Sequence, residues 1–102
     1  MTRPVRMSRP TRLLLLELLA APRAWRHGYD LSQATALKSG TLYPLMMRLS
    51  DLGLLESRWE EPAQEGRPPR HVYRLSSSGL ALAKTVRAEQ AAGGHALTPR
   101  PA

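Results

Sequence analysis

The chain has 102 residues, with 15 Lys and Arg against 8 Asp and Glu, a formal net charge of +7 and no cysteine. This length predicts one small domain that buries roughly 65% of its unfolded surface, so that a second copy would be a useful source of stability. The positive charge indicates an anionic partner, either nucleic acid or a membrane surface, and the lack of cysteine excludes disulfides and thiolate metal sites.

The N-terminal region is basic and then rich in leucine. Arginines stand at positions 3, 6, 9 and 12, ahead of the leucines of residues 13–19. A secretory signal is an alternative interpretation because residues 21–24 loosely resemble a cleavage site, but Glu17 interrupts the apolar run and Pro10 lies just before it. No segment approaches the ~18 apolar residues of a membrane span. We therefore expect a cytoplasmic protein with no membrane partner.

Residues 11–20 are predicted to form the first helix, with Ser8 as a possible N-cap and Pro22 ending it. Its four consecutive leucines cover most of the helix circumference, so the helix must be buried on more than one side. In so small a domain, the expected cover is a second chain. The predicted dimerisation residues in this helix are Leu13, Leu14 and Leu16.

Residues 28–37 are predicted to form a short second helix, with Tyr29 and Leu31 as its large apolar residues. Ser39 follows closely as the predicted N-cap of a third helix, and Gly53 is suited to close that helix. Two helices joined by so short a turn indicate a helix-turn-helix.

The third helix has one apolar face, made of Leu42, Leu45, Met46, Leu49 and Leu52. Its other face carries Gly40, Tyr43, Pro44 and Met47. Tyr43 has little reason to be there for packing, and Gly40 allows the backbone to approach a partner closely. This face is therefore predicted to meet a DNA duplex.

Two strands are predicted after this helix. Apolar and charged residues alternate over residues 55–60, which is typical of a half-buried strand, and residues 70–75 are rich in β-formers. The residues between them are mostly turn formers and chain breakers. The order of elements predicts a winged helix-turn-helix, mainly α with a two-stranded β-hairpin (α+β).

The last predicted helix is capped within residues 76–78, ends near Ala92, and is stopped by Gly93 and Gly94. Its weak apolar stripe predicts dimer contacts at Leu80, Ala83 and Val86. The predicted organisation is a basic arm (1–10), a winged-helix DNA-binding domain (11–75), a dimerisation helix (76–92) and a disordered tail (93–102).

The chain carries His-Gly-Tyr-Asp-Leu at 27–31, then Gly-Thr-Leu-Tyr-Pro at 40–44 with Arg-Leu at 48–49 and Gly-Leu at 53–54, and then Gly-Arg-Pro-Pro-Arg at 66–70 with Tyr-Arg-Leu-Ser at 73–76. Together these blocks resemble the PadR family of bacterial transcriptional regulators, over about residues 12–82. The resemblance implies a winged-helix homodimer that binds pseudo-palindromic operators in double-stranded DNA, usually as a repressor and often released by a small-molecule effector. The final helix is short and rich in alanine, which indicates the small subclass of the family.

The resemblance also implies roles for individual residues. The recognition helix matches residues 39–52, the tyrosine that touches the DNA backbone matches Tyr43, and the basic residues of the wing match Arg67 and Arg70. With the cations, hydroxyls and small residues around them, the predicted DNA-binding set is Arg12, Lys38, Ser39, Gly40, Thr41, Tyr43, Pro44, Arg48, Arg67 and Arg70.

Each contact has an alternative interpretation. Lys38 and Arg48 can be solvated surface charges, and Tyr43 can lie over the hairpin. The wing arginines can belong to a plain solvated loop, where Glu60, Glu61 and Glu65 oppose them, and the N-terminal arginines can form a solubilising tail.

The sequence predicts no cofactor, metal or catalytic site. The three histidines, His27, His71 and His95, are too scattered for a metal-ligand set, and no Ser/His/Asp or paired-carboxylate arrangement is present. Trp25 and Trp59 are weak candidates for a ligand pocket, with core or hairpin packing as the alternative. Two rival functions stay open: a winged helix that docks protein partners, and a small-molecule or metal sensor.

Overall fold

The computed structural model describes residues 8–62 and 65–97. Its elements in chain order are α1 (Arg9–Ala20), β1 (Arg26–His27), α2 (Gly28–Thr35), α3 (Ser39–Asp51), β2 (Leu55–Glu60), β3 (Arg70–Leu75) and α4 (Ser77–Leu97). The strands form one antiparallel sheet in the order β1-β3-β2. The predicted winged-helix architecture is confirmed, but the sheet has a third strand. With only two residues, β1 is too short to produce a recognisable period in the sequence.

Helix α1 begins at Arg9, two residues before the predicted start, and the predicted cap is confirmed. The Ser8 hydroxyl accepts a hydrogen bond from the Thr11 amide at 3.3 Å, and Pro10 occupies the first turn, where its missing N–H is not needed. Leu14, Leu15 and Leu18 are buried within the chain itself. Helices α2, α3 and α4 and strand β3 all pack against α1, so one chain provides the cover that we expected from a second.

Helix α2 ends at Thr35, where Ala36 adopts a left-handed conformation with φ 65°. Leu31 is buried as predicted, but the prediction for Tyr29 is wrong because 69% of its surface is exposed. Tyr29 lies in the first turn of α2, on the side turned away from the core. Ser39 is also corrected: it is the first residue of α3, and Lys38 occupies the N-cap position.

The closure of α3 at Gly53 is confirmed in detail. Gly53 has φ +77°, its amide donates to the Ser50 carbonyl at 2.9 Å, and the Leu54 amide donates to the Leu49 carbonyl at 2.9 Å. This pair of bonds is a Schellman motif, which requires the left-handed conformation that glycine adopts without strain. Leu52 occupies the C-cap and is 42% exposed, so its predicted place on the buried face is wrong.

The hairpin joins β2 and β3 in a register that pairs Leu55 with Leu75 and Trp59 with His71. Strand β3 has the predicted bounds. In β2 the predicted half-buried alternation is wrong, since Ser57 and Trp59 are exposed and only Leu55 is buried. Leu55 and Leu75 at the base of the hairpin are buried, whereas residues 56–59 of β2 are exposed.

Ser76 precedes α4 and links the start of this helix to the end of α3. Its hydroxyl donates to the Gly53 carbonyl at 2.7 Å and accepts from the Gly79 amide at 3.0 Å, so the end of α3 and the start of α4 are tied together. The predicted stop at Gly93 and Gly94 is wrong, because α4 continues through both glycines to Leu97. Glycine lowers helix propensity by about 1 kcal/mol but does not remove a backbone hydrogen bond. Most of the predicted arm (residues 1–7) and the end of the predicted tail (98–102) lie outside the described residues.

Candidate nucleic-acid interface

Helix α3 has the two-faced character that the sequence predicts. Leu42, Met46 and Leu49 are buried at 1% exposure or less, whereas Tyr43 is 41% and Met47 is 68% exposed. The other predicted contacts in this region are all exposed: Lys38, Ser39, Gly40, Thr41, Pro44 and Arg48. The outward face of α3 is therefore open along its whole length in the single chain.

The start of α2 holds Tyr43 in place. Gly28 is buried, and a Cβ placed on it would lie only 2.6 Å from two carbon atoms of the Tyr43 ring. Such a distance is far inside van der Waals contact, so the ring occupies the space that a side chain at position 28 would need. Tyr43 thus lies over the junction of β1 and α2, with two fifths of its surface still accessible.

A groove of about 390 Å³ lies between the start of α2 and strand β3, and Tyr43 of α3 contributes to its lining. It is lined by His27, Gly28, Tyr29, Asp30, Tyr43, Arg70, His71 and Tyr73. Two predicted contacts that are far apart in sequence, Tyr43 of α3 and Arg70 of the wing, therefore share one concave surface. Neither periodicity nor spacing in the sequence indicated the other six residues as site residues. The His-Gly-Tyr-Asp-Leu block marked only the family resemblance.

Two lining residues of this groove, His71 and Tyr73, belong to a row of aromatic contacts across the hairpin. Trp59 stacks on His71 with ring centroids 4.6 Å apart and an interplanar angle of 7°, and His71 contacts the Tyr73 ring at 4.9 Å. The Tyr73 hydroxyl lies 3.2 Å from His71 Nδ1. Burial raises the pKa of Tyr73 above 10.0, and the nearby Tyr43 phenol raises this pKa further. Tyr73 therefore keeps its proton at neutral pH and remains a hydrogen-bond donor.

The loop end of β2 is tied to α2 by a histidine that lies between two carboxylates. His27 Nδ1 lies 3.2 Å from Asp30, and Nε2 lies 3.1 Å from Glu60. Glu60 is thus directed towards His27 and not towards the wing arginines. Arg67 and Arg70 follow Glu60 in the chain, and both are exposed, as residues that contact a partner must be.

Both tryptophans make hairpin contacts. Two guanidinium groups contact the Trp25 ring, with Arg58 at 4.4 Å and Arg74 at 4.3 Å from its centroid. Arg74 also donates to Glu56 at 2.9 Å. These contacts match the packing alternative that was weighed against a ligand pocket.

The predicted dimer contacts and Arg12 are only partly accessible. Leu14, Ala83 and Val86 are between 0 and 2% exposed, which corrects their assignment: they pack within one chain and have no surface left for a partner. Leu13, Leu16 and Leu80 are half-buried. Arg12 is half-buried on α1 and already makes contacts within the chain.

Within residues 8–62 and 65–97, no group of three metal-ligating side chains is found, and no helix is long and apolar enough to cross a bilayer.

Across the described residues, four helices, a three-stranded antiparallel sheet and an exposed α3 beside the hairpin define a winged-helix protein. The chain belongs to the transcriptional regulator PadR-like family, whose family model matches residues 15–85. Proteins of this family are transcriptional regulators and not enzymes, and the chain is accordingly a transcriptional regulator. No curated protein matches the sequence.

Solved structures agree with this assignment. A PadR-like transcription factor from Bacteroides fragilis is 26% identical, with a TM-score of 0.70 over 88% of this chain and 90% of that chain. The protein smu.1704 from Streptococcus mutans is 27% identical, with a TM-score of 0.73 over 96% of this chain and 91% of that one. MepR from Staphylococcus aureus, in its DNA-binding conformation, shares 16% identity and a TM-score of 0.70 over 92% of this chain and 66% of its own, a likeness of fold alone.

Proposed function

We propose that this regulator is a homodimeric repressor that binds a pseudo-palindromic operator in double-stranded DNA. Helix α3 enters a major groove, and the wing reaches the flanking backbone. The observation that supports this most directly is that Tyr43 from α3 and Arg70 from the hairpin line one groove. MepR, which shares the fold, is described in a DNA-binding conformation. Release by a small ligand, which the family resemblance implies, stays a prediction.

The chemistry of this surface suits a phosphate backbone. Phosphates are held by cations, hydroxyl groups and the amide groups at helix N-termini. The exposed Lys38, Thr41 and Tyr43 supply a charge and two hydroxyls near the first turn of α3, and Arg70 adds a second charge. No side chain caps that turn among the described residues, so its outward amides suit a phosphate oxygen. The net charge of +7 favours approach to DNA over long distances.

Substitution of the wing arginines gives a quantitative test of the proposed contact with DNA phosphates. Removing one phosphate contact should weaken binding to every duplex and reduce the slope of log K against log[salt] by about one. We expect this for Arg70→Ala and for Arg67→Ala, measured by fluorescence anisotropy on a labelled duplex over a range of salt concentrations. Arg23→Ala, an exposed arginine in the turn after α1, should leave the slope unchanged. Parallel slopes for all four proteins would refute the wing contact.

The proposed dimer uses the exposed surface of α4. From residue 87 to residue 91 every side chain of this helix is exposed in the single chain, beyond the part that Ala83 and Val86 pack onto α1. We propose that this segment pairs with its copy, together with the accessible parts of Leu13, Leu16 and Leu80. Two recognition helices then lie about one DNA turn, or ~34 Å, apart.

The dimer can be tested with substitutions that a monomer would tolerate. Ala88 and Ala91 are exposed in the chain, so replacing both with arginine should change the free energy of unfolding of an isolated chain by less than about 0.5 kcal/mol. Sedimentation equilibrium should give twice the chain mass for the unsubstituted protein and a single chain mass for the variant. A variant that stays dimeric would show that this segment is not the interface.

A further inference from the structure

The outward strip of α3 carries few hydrogen-bonding groups. At 100° per residue, Gly40, Pro44, Met47 and Asp51 lie directly opposite the buried face of the helix. Glycine and methionine side chains offer no N–H or O–H, proline lacks even its backbone donor, and an ionised aspartate only accepts. The donors of the helix lie to the sides of this strip, with Thr41 and Arg48 on one flank and Tyr43 on the other.

Met47 is the largest apolar group on this strip and is 68% exposed. Pro44 precedes it by three residues, which places the two side chains next to each other on the helix surface. Together they form an apolar patch with cationic and hydroxyl groups around it. No described residue buries this patch, since the core lies on the opposite side of α3.

The base edges in a major groove differ in what they offer such a patch. Guanine presents two acceptors, which require donors such as those of arginine or lysine, whereas thymine presents a C5-methyl group that makes apolar contacts. The patch lacks donors and matches the methyl group. Because Arg48, Thr41 and Tyr43 flank it, the patch would face the floor of the groove while its neighbours meet the phosphates.

We propose that Met47 and Pro44 read thymine methyl groups at the centre of each operator half-site. This inference rests on the proposed DNA binding and adds to it the base that α3 selects. The alternative occupant of an exposed apolar patch is a second copy of the chain, which the same experiment distinguishes.

The test removes only the methyl group. Duplexes are first selected from a random library with the full chain, and each thymine of the selected half-site is then replaced with deoxyuridine. Loss of one buried methyl group should weaken binding about fourfold for each contacted thymine. Met47→Ala should lose this discrimination at the thymine that Met47 contacts, where the thymine and uracil duplexes should bind with nearly equal affinity. Arg48→Ala is the matched control: it should bind both more weakly and keep the fourfold difference.

The outcomes separate the two proposals. If no duplex is enriched, the proposed DNA binding itself fails. If a duplex is enriched but uracil binds as well as thymine, or Met47→Ala keeps the discrimination, DNA binding stands and methyl reading is overturned. If sedimentation shows that Met47→Ala changes the oligomeric state, the patch is an interface between copies, and methyl reading is again overturned.

Discussion

Gly79→Ala is expected to destabilise the fold by about 3 kcal/mol, at the upper end of what overpacking costs in well-packed sites. Gly79 is buried in the first turn of α4, and a Cβ there would collide with the backbone carbonyl of Leu54, whose carbon atom would be 2.9 Å away. The Leu75 side chain closes the space on another side at 3.2 Å. Backbone cannot move aside as a side chain can, because the same Leu54 carbonyl accepts a hydrogen bond from the Ser76 amide at 3.0 Å.

The same substitution at Gly40 is the control. Within the described part of the chain, no atom lies within 4 Å of a Cβ at this position, and glycine in a helix costs roughly 0.5–1 kcal/mol relative to alanine. Gly40→Ala should therefore raise the free energy of unfolding slightly, whereas Gly79→Ala lowers it strongly. Urea unfolding followed by circular dichroism measures both. Similar stabilities for the two variants would contradict the close contact between α4 and Leu54.

The second large effect concerns Gly28 and bears on DNA affinity, not on stability. An alanine at position 28 must displace the Tyr43 ring, which is partly exposed and free to rotate away. If Tyr43 donates to a phosphate, the loss of one hydrogen bond to a charged group should weaken binding about tenfold. Gly28→Ala should thus bind the selected duplex as weakly as Tyr43→Ala, although residue 28 is itself buried.

A double-mutant cycle isolates this effect. In a Tyr43→Ala background the ring is absent, so the further change Gly28→Ala should have no additional effect on affinity. Additive losses would mean that Gly28 acts by some other route. Full affinity in Gly28→Ala would mean that the position of Tyr43 is unimportant for binding.

Local sequence signals predicted the elements of the fold well. The Ser8 cap, the closure at Gly53 and the bounds of β3 each depend on hydrogen bonds or periodicity within a few residues, and a sequence displays these directly. The two-residue β1 escaped prediction because its backbone hydrogen bonds go to β3, more than 40 residues later.

What the sequence could not show is which apolar residues a neighbouring element covers. The leucines of α1 indicated a partner chain, yet α4 of the same chain supplies part of that cover, and Trp59 was placed in a half-buried strand although it is exposed. The same limit applies to the candidate site. Tyr43 and Arg70 were predicted individually, whereas their shared groove depends on how α3, α2 and the hairpin pack together.

The contacts of Arg58 and Arg74 with Trp25 affect how the wing meets its target. Arg58 and Arg74 come from the two strands of the hairpin, and both stack on an indole that lies just before β1. Stacking of this kind fixes the angle at which the hairpin leaves the body of the molecule before any duplex arrives. Less conformational entropy is then lost when the wing aligns on DNA, so the same contacts give a higher affinity.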